Sequence, residues 1–208
     1  MVGFDATVLT MVLNPQADSP PDPMTGAPVD RANERVEFLI ASLQKAKQKI
    51  VIPTPVLSEV LVRSGNAGLQ YVEVLQKAAT FSIEPFDKRA AIELALMNQR
   101  AVSNGDKRGG ENENWQKIKL DRQIVAICKV AGVRAVYTTD GPLGNFARLA
   151  GMDVIGIHNL PLPPEPPQLN LDLLFEPRSP PEGLSDEPKP DEIEPDEPEE
   201  DSISSESD

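Results

Sequence analysis

The sequence has one cysteine and one histidine, and each scarcity excludes a class of chemistry. A single thiol, Cys128, allows no disulfide within the chain. It falls on the apolar face of an expected helix, the place of a small buried hydrophobe rather than a nucleophile. A single imidazole, His158, excludes multi-histidine metal centres and a Cys₂His₂ finger. Ser-His-Asp catalysis would depend on that one residue, at the end of the last expected strand. No run approaches the roughly 18 apolar residues that a membrane span needs. The N-terminus also lacks a basic stretch followed by a long apolar one. These absences lead to the expectation of a soluble, cytoplasmic protein.

Charge is present but unevenly placed. Residues 161–208 hold 16 acidic and 2 basic side chains, a net of −14, whereas residues 1–160 carry a net of +1. The same C-terminal stretch has 12 of the 21 prolines, and its large apolar residues thin out after Phe175. It buries too little apolar surface to offset the entropy of ordering, so it reads as a Pro-rich, acidic, disordered tail. The expected organisation is one domain over 1–160, long enough for a real core, followed by the tail over 161–208.

Within 1–160 the hydrophobic pattern alternates strands with helices. A short apolar run ends at Asp5, and a helix is expected from about Thr7 to Leu13. A polar loop, 14–30, precedes a helix over about 31–47. Strands are expected at 49–52, 80–85, 133–138 and 152–157. Helices are expected at about 54–63, 67–78, 87–102, 115–131 and 142–150. Thr54 before Pro55 reads as an N-cap, as does Asp87, and Gly132 as a helix stop. The helix after Trp115 places Leu120, Ile124, Ile127, Cys128 and Ala131 on one apolar face. The order β-α-α-β-α-α-β-α-α-β-α-β, with near-continuously apolar strands, predicts an α/β fold. Its central parallel sheet would be flanked by helices on both faces.

Four acidic residues stand in or at the end of apolar segments: Asp5 in MVGFDATVL, Glu59 in IPTPVLSEVLV, Asp121 in KIKLDRQIVAIC and Asp140 in RAVYTTDGPL. A carboxylate there is costly unless it is paired or holds a cation. Asp5 and Asp140 follow strands, where ligands bind in open parallel sheets, and flanking helices can aim Glu59 and Asp121 at the same edge. An all-oxygen donor set suits Mg²⁺ or Mn²⁺ rather than zinc. Each acid also has a plainer reading. Asp5 could cap a helix, Asp140 could end a turn, Asp121 could pair with Lys117 or Arg122, and Glu59 could pair with Arg63 at i,i+4 spacing.

Taken in order, the four acids and their surroundings resemble the PIN-domain ribonucleases. The resemblance rests on Asp5 with Thr7 in FDATVL, Glu59 in TPVLSEVL, Asp121 in KLDRQIVAIC and Asp140 in VYTTDGPLGNFARLAG, followed by DVIGI. It spans about 1–158. It implies a Mg²⁺- or Mn²⁺-dependent endoribonuclease with Asp5, Glu59, Asp121 and Asp140 as catalytic metal ligands. Thr7 and Thr139 would be supporting residues. It also implies RNA as substrate, with a cognate antitoxin or a second copy of the chain as candidate partners. The long loop 14–30 and the acidic tail depart from the family pattern, and neither touches the acids.

RNA binding needs cations around an acidic cleft. Lys107, Arg108, Lys117, Lys119 and Arg122 cluster before and around Asp121, and Trp115 could stack on a base. Two other functions compete. A haloacid-dehalogenase-like phosphohydrolase would need an aspartate where Thr7 stands. A catalytically silent PIN-like interaction module would use the tail as an acidic regulatory segment.

Overall fold

The computed structural model describes residues 1–164. The tail expected over 161–208 lies, from residue 165 onward, outside the described residues. Five strands form one parallel sheet: β1 (Val2–Phe4), β2 (Ile50–Pro53), β3 (Phe81–Glu84), β4 (Ala135–Tyr137) and β5 (Asp153–Ile155), in the order β3-β2-β1-β4-β5. Seven α-helices connect them: α1 (Ala6–Leu13), α2 (Ala32–Lys45), α3 (Thr54–Ser64), α4 (Gly68–Lys77), α5 (Lys88–Ser103), α6 (Trp115–Val130) and α7 (Gly141–Leu149). The alternation of strands and helices is the one expected from the sequence, and so is the α/β architecture.

Side chains on successive strand residues point to opposite faces of a sheet, so a two-sided core follows from the pleat. Val2 and Phe4 of β1 and Tyr137 of β4 pack with Val36, Leu39 and Leu43 of α2. On the other face, Val136 packs with Val56 and Val60 of α3, Ile124, Val125 and Cys128 of α6, and Leu143 and Phe146 of α7. Helices therefore cover both faces. At the centre of this second face stands Gly3, where a Cβ would lie 3.0 Å from the sulfur of Cys128. The absent side chain lets α6 sit close to the sheet. Cys128 is itself fully buried and its thiol is pushed up to about 12 by burial, so it packs as a small neutral hydrophobe.

Two local expectations change. The α3 cap is Pro53, with Thr54 as the first helical residue and no side-chain cap bond. Leu120, expected on the buried face of α6, is 39% exposed, while Ile118 is fully buried. Loop 14–30 is partly tied down: Pro21 bridges Pro28, and Val29 is buried in the α2 core. Leu160 is also buried there, and its carbonyl accepts from Arg35.

The sheet order positions the site. From β1 the chain builds outward through β2 and β3, then returns to add β4 and β5 on the other side. The carboxyl ends of β1 and β4 are therefore neighbours at a reversal of strand order, where open parallel sheets leave a crevice. Among the described residues no helix is long and apolar enough to cross a membrane.

Candidate functional site

Asp5 follows β1 directly and is the N-cap of α1, where it satisfies a backbone donor that the helix leaves unpaired. One carboxylate oxygen accepts from the N–H of Val8 at 2.8 Å, and the other accepts from the N–H of Thr139 at 3.2 Å. The Thr138 hydroxyl also bonds to this carboxylate. Asp5 is only 4% exposed, and burial pushes its pKa up to about 6 against those three hydrogen bonds, with the charge of Asp140 adding to the rise.

Asp140 plays the matching part after β4. It caps α7, accepting from the N–H of Leu143 at 2.9 Å. Its own N–H donates to the Thr138 hydroxyl at 2.9 Å. Thr138 is thus a buried link between the two strand-end acids. Thr139, expected to contribute as a small polar residue, supplies its backbone N–H. Thr7 lies in the first turn of α1, with no described hydrogen bond on its side chain.

Asp121 reaches the same place from α6. It is buried, and burial again raises its pKa to about 6. Lys117 opposes that rise, while the charges of Asp140 and Glu113 add to it. Lys117 stands one turn earlier on α6, with its ammonium 3.1 Å from Asp121 and 2.7 Å from Asp140. Burial works against its charge, but the two carboxylates hold its pKa above the ordinary lysine value. Lys117 therefore joins Asp121 to Asp140, and Thr138 with the Thr139 N–H joins Asp140 to Asp5.

Glu59 is not joined to them by any described hydrogen bond or ion pair. It pairs with Arg63 at 2.7 Å, one turn along α3, in a shallow groove it shares with Ser58, Val62 and Leu120. The i,i+4 pairing anticipated as its plainer reading is the one present. Glu113, just ahead of α6, was not anticipated. It lies in a polar loop whose composition gives no hint that it adds negative charge beside Asp121.

The residues suit a hard cation in two respects. All their donors are oxygens, and burial together with the charge of Asp140 makes the ionised forms of Asp5 and Asp121 costly, a cost that a nearby cation would offset. Lys117 already places a cation between two of them. As the side chains stand, however, no group of three or more His, Cys, Asp or Glu among the described residues is gathered closely enough to hold a metal ion.

The expected nucleic-acid residues divide. Lys107 and Lys119 are exposed and lie over the Trp115 ring, 4.5 and 5.5 Å from its centroid. Arg108 is also exposed and donates to the carbonyl of Glu113 at 3.0 Å. Arg122 departs from its expected place on a cationic rim. It is 4% exposed, donates to Asn98 and to the carbonyl of Lys107 at 2.9 Å each, and lies over Phe146. It ties α5 and the following loop to α6. Trp115 itself is partly buried against the core.

No family model and no curated protein matches the chain. Solved structures do show a likeness, among them the following three. One is VapC20 of Mycobacterium tuberculosis, a Sarcin-Ricin loop cleaving toxin, at 16% identity and TM-score 0.47, spanning 77% of this chain and all of that one. The second is VapBC2 of Rickettsia felis bound to a DNA fragment from its promoter, at 10% identity and TM-score 0.48, spanning 75% of this chain and 98% of that one. The third is DNA-bound VapBC of Salmonella typhimurium, at 14% identity and TM-score 0.47, spanning 76% of this chain and 99% of that one.

Proposed function

We propose that this chain is a Mg²⁺- or Mn²⁺-dependent endoribonuclease acting at the crevice between the ends of β1 and β4. The observation that carries this reading is the chain of contacts that links Asp121 to Asp140 through the Lys117 ammonium and Asp140 to Asp5 through Thr138 and Thr139. Three carboxylates on three separate elements have no structural need to share one place. Asp5 and Asp140 are already used as helix caps, and a neutral Asn or Ser would cap as well. Their convergence as charged groups calls for a cationic ligand.

Asp5, Asp121 and Asp140 would hold the ion, with Glu59 joining after release from Arg63. Bound there, a divalent ion would supply an activated water and stabilise the leaving oxygen in hydrolysis at phosphorus. The protein's own part is positional. Thr138 and the N–H groups of Val8 and Thr139 fix the Asp5 carboxylate. Lys117 neutralises Asp121 and Asp140 when no other cation is there, and it can turn toward a phosphate when one is. Lys107, Arg108 and Lys119 offer the RNA backbone positive charge on the side from which α6 enters. The resemblance of the sequence to PIN-domain proteins extends the proposal to a cognate antitoxin as protein partner.

The Lys117 contact also favours a second reading, in which the acids are permanently neutralised and the fold serves as an interaction module. Thermal melting in rising Mn²⁺ separates the two. The nuclease reading expects a concentration-dependent rise in Tm that is lost in Asp140→Asn. An unchanged Tm across the titration supports the interaction module and removes the metal site.

A further inference from the structure

Arg122 remains after the acidic crevice is accounted for. A buried guanidinium is costly unless an opposite charge meets it. Among the described residues no carboxylate lies within salt-bridge distance of Arg122, and its hydrogen-bond partners, Asn98 and the carbonyl of Lys107, are both neutral. Asp106 acts on it only from farther off, and one of its carboxylate oxygens accepts from the N–H groups of Arg108 and Gly109.

Arg122 does not face solid protein. It lines a cavity of about 430 Å³ between α5, the loop after it, α6 and α7. Arg100 and Lys129 line the same space, and Lys129 is paired with Glu93 at 2.7 Å. Met97, Phe146 and Leu149 give the wall apolar surface, and Asn104 and the carboxylate-bearing Asp106 line it as well. Leu149 is 76% exposed and Phe146 is buried. Gly109 closes one side with φ +69°, and a Cβ there would lie 2.8 Å from the Phe146 ring, so only glycine lets the loop lie so close. Consecutive residues on a helix point about 100° apart, so Asp121 and Arg122 serve different faces of α6.

We propose that this cavity is a binding site for a phosphate monoester carried on a flat ring system, a 5′-mononucleotide unit. The fork of Arg100 and the N–H groups of Arg122 not taken by Asn98 and Lys107 suit a phosphate dianion. The apolar wall beside them suits a base, and the volume falls in the range of small-ligand sites. The unit could be a free nucleotide or the 5′-phosphorylated end of a strand. The site stands whether or not the crevice cleaves RNA.

Calorimetric titration of the full chain in excess chelator tests this, because the acidic crevice without metal repels phosphates. UMP and AMP are expected to bind one per chain, more tightly than uridine or inorganic phosphate. Arg100 is exposed, so Arg100→Glu should fold and should weaken binding about tenfold or more. Ala101→Trp fills the cavity from the helix surface and should remove binding. A 5′-phosphorylated RNA trimer that binds as well as UMP assigns the site to strand ends, and its exclusion assigns the site to free nucleotides. No binding of UMP or AMP at millimolar concentration overturns the proposal, and so does binding that both substitutions leave unchanged.

Discussion

The backbone N–H of Thr139 donates to the carboxylate of Asp5 at 3.2 Å, across 134 positions of sequence. This bond joins the end of β1 to the end of β4. It also means that Asp5 is held by donors from both sides of the strand-order reversal. Those donors favour the ionised form, yet burial outweighs them. The folded protein therefore holds the Asp5 carboxylate in position while making its ionisation costlier than in water.

Stability in the absence of divalent metal should fall with rising pH. Asp5 and Asp121 hold protons up to about pH 6, instead of 3.8. Between those values the folded state binds more protons than the unfolded one, so folding weakens as pH rises from about 4 to 6. The loss is on the order of a few kcal/mol. Melting in chelator across pH 4–8 checks this, and a Tm that climbs through the window would contradict the burial of these acids. Saturating Mn²⁺ should flatten the decline.

Lys117→Met should make the site more dependent on metal. In chelator at pH 8 the substitution should cost about 1 kcal/mol, a modest figure because the lysine side chain is 35% exposed. At pH 4.5, where Asp121 is largely protonated, the cost should shrink. The Mn²⁺-induced rise in Tm should exceed that of the unaltered protein, since a competing cation has gone. An equal or smaller rise would show that Lys117 does not occupy the cation's place.

The fold was legible because its signals are local. Asp87 reads as a cap and does cap α5, accepting from the N–H of Ala90 at 2.8 Å. Gly132 reads as a stop and takes φ +76° directly after α6. The alternation of apolar strands with amphipathic helices gives the architecture. Asp5 and Asp140 were legible as strand-end acids for the same reason.

The misplaced residues depend on tertiary neighbours. Nothing in KLDRQIV distinguishes a rim arginine from a buried one. Arg122 is buried because Asn98 and the Lys107 carbonyl, far off in sequence, come to meet it. Leu120 fits an apolar periodicity, but α6 turns its fully buried surface through Ile118 instead. Thr138 and Thr139 are adjacent and alike, and only the exit of the strand decides which hydroxyl reaches Asp5.

Glu59→Gln should separate a structural role from a chemical one. Its partner Arg63 is 62% exposed, so losing the pair should change stability by less than about 1 kcal/mol. If Glu59 turns into the crevice when metal binds, the cleavage rate and the Mn²⁺ response should both fall. A substitution silent in both would leave the site with three carboxylates.

Residues 1–164 should fold alone. Among the described residues both core clusters extend no further than Leu160, whose carbonyl is held by Arg35. A chain ending at 164 should melt cooperatively near the full-length Tm, and circular dichroism during heating measures it. A large drop would show that residues beyond 164 contribute to the domain. Ending the chain before Leu160 should cost more, because that buried side chain is lost.

The central claim is tested most directly by incubating single-stranded RNA with the full chain in Mn²⁺, in excess EDTA, and with Asp5→Asn in Mn²⁺. Asparagine keeps a cap for α1, so the substituted protein should fold with unchanged or higher stability. Cleavage should occur only in the first reaction and leave 5′-phosphate ends. Cleavage that persists in EDTA, or in folded Asp5→Asn, would contradict a carboxylate-held metal as the source of activity.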